Sequence, residues 1–247
     1  SLWQRGQALA RALPARGVAA GDRFALQMQN HCEFVDAMVA SSILGTVFVP
    51  IDPRTRGRKL QYMLESVGCK GVIAGAYCLA QLQEVVHETP SVEWIWLVGP
   101  RDSGRELPAR TEWLDEVAID EGPELPVAGD RLEMPMQMLF TSGTTGDPKA
   151  IVGSYLRYAS IGGMIQAFCV EPDDRMYTGL SLTHANALAI TLGGSLYTGI
   201  PAVISRKFTK SRLWSVIRDF HCTTMNLLGG MFSAIYSEPA TDRDADN

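Results

Sequence analysis

The stretch Leu139-Phe140-Thr141-Ser142-Gly143-Thr144-Thr145-Gly146-Asp147-Pro148-Lys149 gathers four hydroxyl side chains, two glycines and one lysine behind an apolar run. This is the donor set of a phosphate cradle. Glycines let backbone N–H groups close on an anion, hydroxyls donate hydrogen bonds, and the lysine supplies a positive charge. The phosphate loop of ordinary nucleotide hydrolases is a different object, because it needs G-x-x-x-x-G-K-[ST]. Here Asp147 and Pro148 separate Gly146 from Lys149, and Ala150 stands where a magnesium-binding hydroxyl belongs. Pro148 also steers Asp147 away from helical geometry, so no helix starts at the glycine. A Ser/Thr/Gly-rich linker is the plain alternative, but linkers seldom end in Pro-Lys after an apolar strand.

A second constellation lies downstream. His184 follows Leu180-Ser181-Leu182-Thr183 and precedes Ala185-Asn186-Ala187, so small residues surround a polar ring, as in a pocket wall. Gly229 and Gly230, with Met231, follow the apolar run Met225-Asn226-Leu227-Leu228, where glycine permits close approach of a ligand; a helix-start turn is the competing reading. His31, His87 and His221 sit in no comparable constellation. Tyr155 and Tyr158 read as helix packing, and Cys169 and Cys222 as core residues without an activating partner.

The string from Phe140 to Ala150 resembles the signature Y-T-S-G-T-T-G-x-P-K-G of the adenylate-forming enzymes: acyl- and aryl-CoA synthetases, peptide-synthetase adenylation domains and beetle luciferases. It departs by Phe140 for Tyr and Ala150 for Gly. The likeness continues upstream in Gly17-Val18, Gly21-Asp22-Arg23-Phe24-Ala25 and Gly45-Thr46-Val47-Phe48-Val49-Pro50-Ile51-Asp52-Pro53. Downstream, Leu180 to Ala187 is similar to the family's L-P-L-F-H-x-x-[AG], with Thr183 in place of the usual large residue. Asn226-Leu227-Leu228-Gly229-Gly230-Met231 looks most like crotonobetaine- and carnitine-type ligases.

The resemblance implies an ATP-dependent acid–thiol ligase that activates a carboxylic acid as an acyl-adenylate, releases pyrophosphate and passes the acyl group to CoA. It implies that Thr141, Ser142, Gly143, Thr144, Thr145, Gly146 and Lys149 hold the β- and γ-phosphates. Lys149 and Thr145 are the catalytic candidates, with Thr145 toward Mg2+. His184, Ala185, Asn186, Gly229 and Gly230 are assigned to the acyl and thiol side. The family's later ribose- and adenylate-contacting segments and its small C-terminal lid domain find no match here. The expectation is therefore a partial N-terminal AMP-binding domain, inactive alone. Two other readings stay open: a non-catalytic phosphate-binding module, and an adenylating enzyme with an acceptor other than CoA.

Composition sets bounds. At 247 residues and 46% hydrophobic, the chain can bury a substantial core. A formal charge of −5 leaves no basic footprint for nucleic acid, so positive potential for ATP must be local. Five cysteines without a C-x-x-C pair suit a reducing, cytoplasmic setting. The apolar region 187–205 is broken by Gly193, Gly194, Gly199 and Pro201, which excludes a transmembrane segment there. Homo-oligomerisation is left open.

The elements that must carry these residues alternate between strand-like and helical patterns, which predicts an α/β fold with largely parallel sheets flanked by helices. Ser1 and Gln4 have the spacing of a capping box for a first helix. Strands are expected at 23–28, 47–51, 70–74 and 94–98, with helices at 32–44, 59–67 and 78–87 between them. Residues 100–135, rich in Gly, Pro and acidic side chains, read as a long surface excursion. A second series runs through strand 136–140, helix 155–168, strand 176–180, helix 185–196, strand 202–204, helix 211–220 and strand 223–228. The expected organisation is thus a first series over about 1–135 and a second over 136–247 that begins with the phosphate-loop strand.

Overall fold

The computed structural model describes residues 1–101, 106–117, 122–128, 131–141 and 146–239. The chain divides into two compact units, Ser1–Tyr155 and Leu156–Asn247.

The first unit opens with α1 (Leu2–Ala12), started by a capping box: Gln4 N–H donates to Ser1 Oγ at 3.3 Å, and the Gln4 side chain reaches back to the Ser1 nitrogen at 2.8 Å. Four strands then alternate with three helices: β1 (Arg23–Gln27), α2 (Cys32–Leu44), β2 (Val47–Pro50), α3 (Gly57–Ser66), β3 (Cys69–Gly75), α4 (Leu79–Val85) and β4 (Trp94–Val98). Near-continuous apolar strands such as Trp94-Ile95-Trp96-Leu97-Val98 are what a parallel sheet covered on both faces requires, and every residue of β2 and β4 is buried. Helix α2 carries apolar residues around most of its circumference and buries Phe34, Ala37, Met38, Ala40 and Ile43. It ends at Gly45, whose φ of +69° is the left-handed cap that glycine adopts without strain. Phe24, Phe34 and Phe48 are fully buried, each contributing about 2 kcal/mol of apolar transfer.

Two strands depart from the expected pattern. Residues 100–135 include β5 (Thr111–Trp113), which extends the sheet parallel to β4 with Ile95 opposite Thr111. Its three residues are too few for a period-2 signal to emerge from the Gly/Pro-rich surroundings. After β6 (Pro135–Thr141) the chain turns back as β7 (Lys149–Ser154), antiparallel to β6. The strand order is β5-β4-β3-β1-β2-β6-β7. The phosphate-loop strand, grouped in the sequence with the second series, is hydrogen-bonded into this first sheet beside β2, with Phe48 opposite Gln137.

The second unit holds a smaller parallel sheet in the order β10-β8-β9, formed by β8 (Met176–Thr178), β9 (Ala202–Ile204) and β10 (Thr224–Asn226). Helix α5 (Tyr155–Gly163) runs on as a 3-10 turn over Met164–Phe168. The helix expected near 185–196 consists of a π-helix, Asn186–Leu192, followed by α6 (Gly193–Thr198). Helices α7 (Leu213–Asp219) and α8 (Gly229–Tyr236) complete the unit. Its core packs Tyr177, Leu213, Ile217 and Leu227, with Cys222 against them. Cys169 is not a core residue: it is exposed, at φ +53°, where a left-handed cap ends the 3-10 turn and turns its side chain out of the packing. Tyr158 is buried as expected for helix packing, its hydroxyl donating to the Leu188 carbonyl at 2.9 Å.

No helix among the described residues is long and apolar enough to cross a membrane.

Candidate active site

Strands β6 and β7 form the two legs of a hairpin whose connection, residues 142–148, is the phosphate-cradle sequence. β6 runs parallel to β2, so the connection leaves the sheet at the carboxyl ends of the parallel strands, where ligands gather in such folds. The last register pair is Thr141 with Lys149, and below it Phe140 faces Ala150 and Leu139 faces Ile151. Thr141 Oγ1 donates to the Lys149 carbonyl at 3.4 Å and so ties the two legs.

The two departures from the family signature are therefore cross-strand partners. Ala150 occupies a strand position where a methyl group is accommodated, and Phe140 opposite it packs on a buried apolar cluster of the first unit. Lys149 is exposed, and among the described residues its ammonium has no ion-pair partner. Ser142, Gly143, Thr144 and Thr145 lie outside the described residues. Gly146 is exposed, with open space where a Cβ would stand, and its φ is outside the left-handed region.

In the second unit the turn before His184 is built from its own side chains. Ser181 Oγ and Thr183 Oγ1 are 2.8 Å apart, and the His184 N–H donates to the Ser181 carbonyl at 3.1 Å. Thr183, where the family carries a large residue, is buried and used in this turn. His184 and Ala185 are exposed, and Asn186 begins the π-helix. Wide i→i+5 turns of this kind often occur at functional sites.

Asn186 Oδ1 accepts from Asn226 Nδ2 at 2.5 Å, and the same Nδ2 lies 2.9 Å from Thr191 Oγ1. Thr178 Oγ1 donates to the Asn226 carbonyl at 2.9 Å. This network stands at the carboxyl ends of β8 and β10, the switch point where the chain leaves one side of β8 for the other. It joins the His184–Asn186 segment to the strand that leads into Gly229 and Gly230, so the structure gathers both predicted acyl-side clusters at one sheet edge of this unit. Gly229 and Gly230 are exposed and open α8, and nothing stands within 4 Å of where their Cβ atoms would be. Asn226, Thr178 and Thr191 escaped the sequence reading as site residues. A polar Asn ending an otherwise apolar strand was the available signal.

A hairpin that carries the 142–148 sequence on one largely parallel α/β sheet, and a polar network at the switch point of a second, parallel sheet, make up the candidate site. The chain belongs to the AMP-binding enzyme family, whose model matches residues 1–247. It is 30% identical over 251 aligned residues to the medium/long-chain-fatty-acid–CoA ligase FadD17 of Mycobacterium tuberculosis, an alignment covering 99% of this chain and 45% of that protein. It is 26% identical over 228 residues to mouse long-chain fatty acid transport protein 6, covering 92% of this chain and 36% of the relative. Among solved structures it resembles the inhibitor-bound N-terminal domain of FACL13 from Mycobacterium tuberculosis, with a TM-score of 0.77, 25% identity, and coverage of 96% of this chain and 57% of that one. The chain thus spans less than half the length of these two curated relatives.

Proposed function

We propose that this chain supplies the pyrophosphate grip and part of the acyl-side wall of an AMP-forming acyl-CoA ligase whose acid is a medium- or long-chain fatty acid. The observation that supports the reading is the β6–β7 hairpin, which pairs Lys149, free of ion pairs among the described residues, with Thr141 in register where the two legs meet the 142–148 connection. The fatty acid is favoured over a zwitterionic or aryl acid by the names of the two curated relatives, FadD17 and the mouse transport protein.

In the first step a carboxylate oxygen bonds to the α-phosphorus of ATP while the bond to the bridging oxygen breaks, and that oxygen leaves with pyrophosphate. Charge accumulates on the departing group. Preorganised N–H, O–H and ammonium donors stabilise such charge without reorganising, and removing one such donor costs about 10² to 10³ in rate. Thr141, Ser142, Gly143, Thr144, Thr145, Gly146 and Lys149 take this role, with the hydroxyl of Thr145 as the contact to Mg2+, which when bound neutralises phosphate charge. In the second step the sulfur of CoA bonds to the acyl carbon and AMP leaves. His184, Ala185 and Asn186, with Gly229 and Gly230, shape the acyl and thiol side. The experiment is fatty-acid-dependent ATP–pyrophosphate exchange, with crotonobetaine and benzoate as comparison acids and Lys149→Ala and Thr145→Ala as variants.

A further inference from the structure

The second unit contains a cavity of about 360 Å3 with a chemistry unlike that of the acyl-side network. Its walls bring together Arg206, Lys207 and Arg212 with the hydroxyl side chains of Tyr177, Ser205 and Thr209. Among the described residues no carboxylate lines it. Among the described residues none of the three cations has an ion-pair or hydrogen-bond partner for its charged head, whereas nearby Lys210, outside the lining, is neutralised by Glu238. Three unmatched positive charges around one concavity repel one another and raise the local potential, a cost that an anion in the cavity removes.

The floor of the cavity is built rather than incidental. Tyr177 is 1% exposed, and its Oη accepts from Ser205 Oγ at 3.1 Å, which leaves the phenolic proton available to a ligand. Gly179 makes the floor possible: a Cβ there would stand 3.0 Å from Tyr177 Oη and 3.0 Å from the Cα of Phe208. Ser205 directly follows β9, at the carboxyl end of a parallel strand, the end of such sheets where ligands bind.

We propose that this cavity binds a phosphate monoester group. Two guanidinium forks match tetrahedral oxyanions in bidentate fashion, the ammonium adds a point charge, and the hydroxyls supply neutral donors. A dianion with three terminal oxygens satisfies this set better than a carboxylate with two. The volume lies near the lower end of small-ligand sites, about 300–1,000 Å3, and so suits a phosphoryl group on a small body. The phosphate group has two sources, a soluble ester or a lipid headgroup. The proposal is independent of the ligase reading, since none of these residues belongs to the cradle at 141–149.

The test is calorimetric titration of the full chain with inorganic phosphate and phenyl phosphate, carried out in a Lys149→Ala background to silence the cradle. Binding in the millimolar range or tighter is expected, falling about tenfold or more in Arg206→Gln/Arg212→Gln and about threefold in Tyr177→Phe. Arg206 and Arg212 are exposed, so the double variant keeps its fold, which circular dichroism checks. In a parallel arm, sedimentation with phosphatidylcholine vesicles with and without phosphatidic acid reads the lipid source. Phenyl phosphate binding that is sensitive to the double variant identifies a soluble ester, and equally sensitive capture by phosphatidic acid vesicles identifies a headgroup. Either result supports the site. Absence of both, or binding unchanged by Arg206→Gln/Arg212→Gln, overturns it.

Discussion

At the scale of single residues, Asn226 carries more than its place in an apolar strand suggests. Its side-chain amide holds Asn186 and Thr191 together at the carboxyl end of the second sheet. Asn226→Ala is expected to cost about 1–2 kcal/mol of stability, because it leaves the buried Thr191 and the half-buried Asn186 without this partner, and to raise KM for the acid about tenfold with kcat little changed. Chemical denaturation and steady-state kinetics read the two effects separately. Asp22 is a second such residue. Burial pushes its carboxyl upward, but the Lys70 ammonium at 2.7 Å and the Ala19 N–H outweigh burial and hold it below the ordinary value of 3.8. A carboxylate lowered on folding stabilises above its unfolded pKa and loses that contribution as pH falls through the folded value. Asp22→Asn should therefore cost about 1 kcal/mol near neutral pH, the pair being partly solvated, and nothing once the wild-type carboxyl is protonated. Denaturation midpoints from pH 7 down to pH 3 would show the two curves converging. Lys149 and the hydroxyls of Thr141, Ser142, Thr144 and Thr145 are the residue types on which the cradle proposal rests, and any reading of the sequence meets them directly. The role of Asn226 was not legible there, because it rests on partners 35 and 40 positions away.

At the scale of elements, the strong alternation of apolar runs and helical patterns made most strands and helices readable to within a few residues. Helix α2 and strand β4 match the expected spans. Three elements were not readable for physical reasons. β5 has three residues, β7 is an edge strand whose Ile151 and Val152 stay about half exposed, and the π-helix carries the same apolar periodicity as an α-helix over a single short span. The edge strand matters most, since only the hairpin shows that Lys149 is in register with Thr141. Packing between helical elements supplies the test at this scale. A Cβ on Gly162 of α5 would stand 2.8 Å from the Gly193 carbonyl oxygen where the π-helix gives way to α6. Gly162→Ala should destabilise by about 1–3 kcal/mol through overpacking, despite alanine's better helix propensity. If the variant unfolds at the same or higher denaturant concentration, that packing arrangement is wrong.

At the scale of the whole molecule, the phosphate-loop strand β6 joins the sheet of the elements before it, beside β2, and not the sheet of the second unit. Strand pairing between residues far apart in the chain decides that, and no local pattern encodes it. Cysteine reactivity reports on the fold as a whole. Burial pushes Cys69 and Cys78 up to about 12, with the Asp52 charge adding to Cys78, while Cys32 and Cys169 are exposed. At pH 8 a thiol near 12 is ionised to about one part in ten thousand. Alkylation of the native chain should therefore modify Cys32 and Cys169 first, Cys222 slowly, and Cys69 and Cys78 only on unfolding, as peptide mass mapping would show. Rapid labelling of Cys69 would contradict the core placed around β3. The family membership, the hairpin and a Lys149 without an ion pair among the described residues support one central proposal, that Lys149 grips the departing pyrophosphate. Fatty-acid-dependent ATP–pyrophosphate exchange by Lys149→Ala tests it most directly: a fall of about 10² or more with the fold intact is the predicted result, and exchange at the wild-type rate would contradict it.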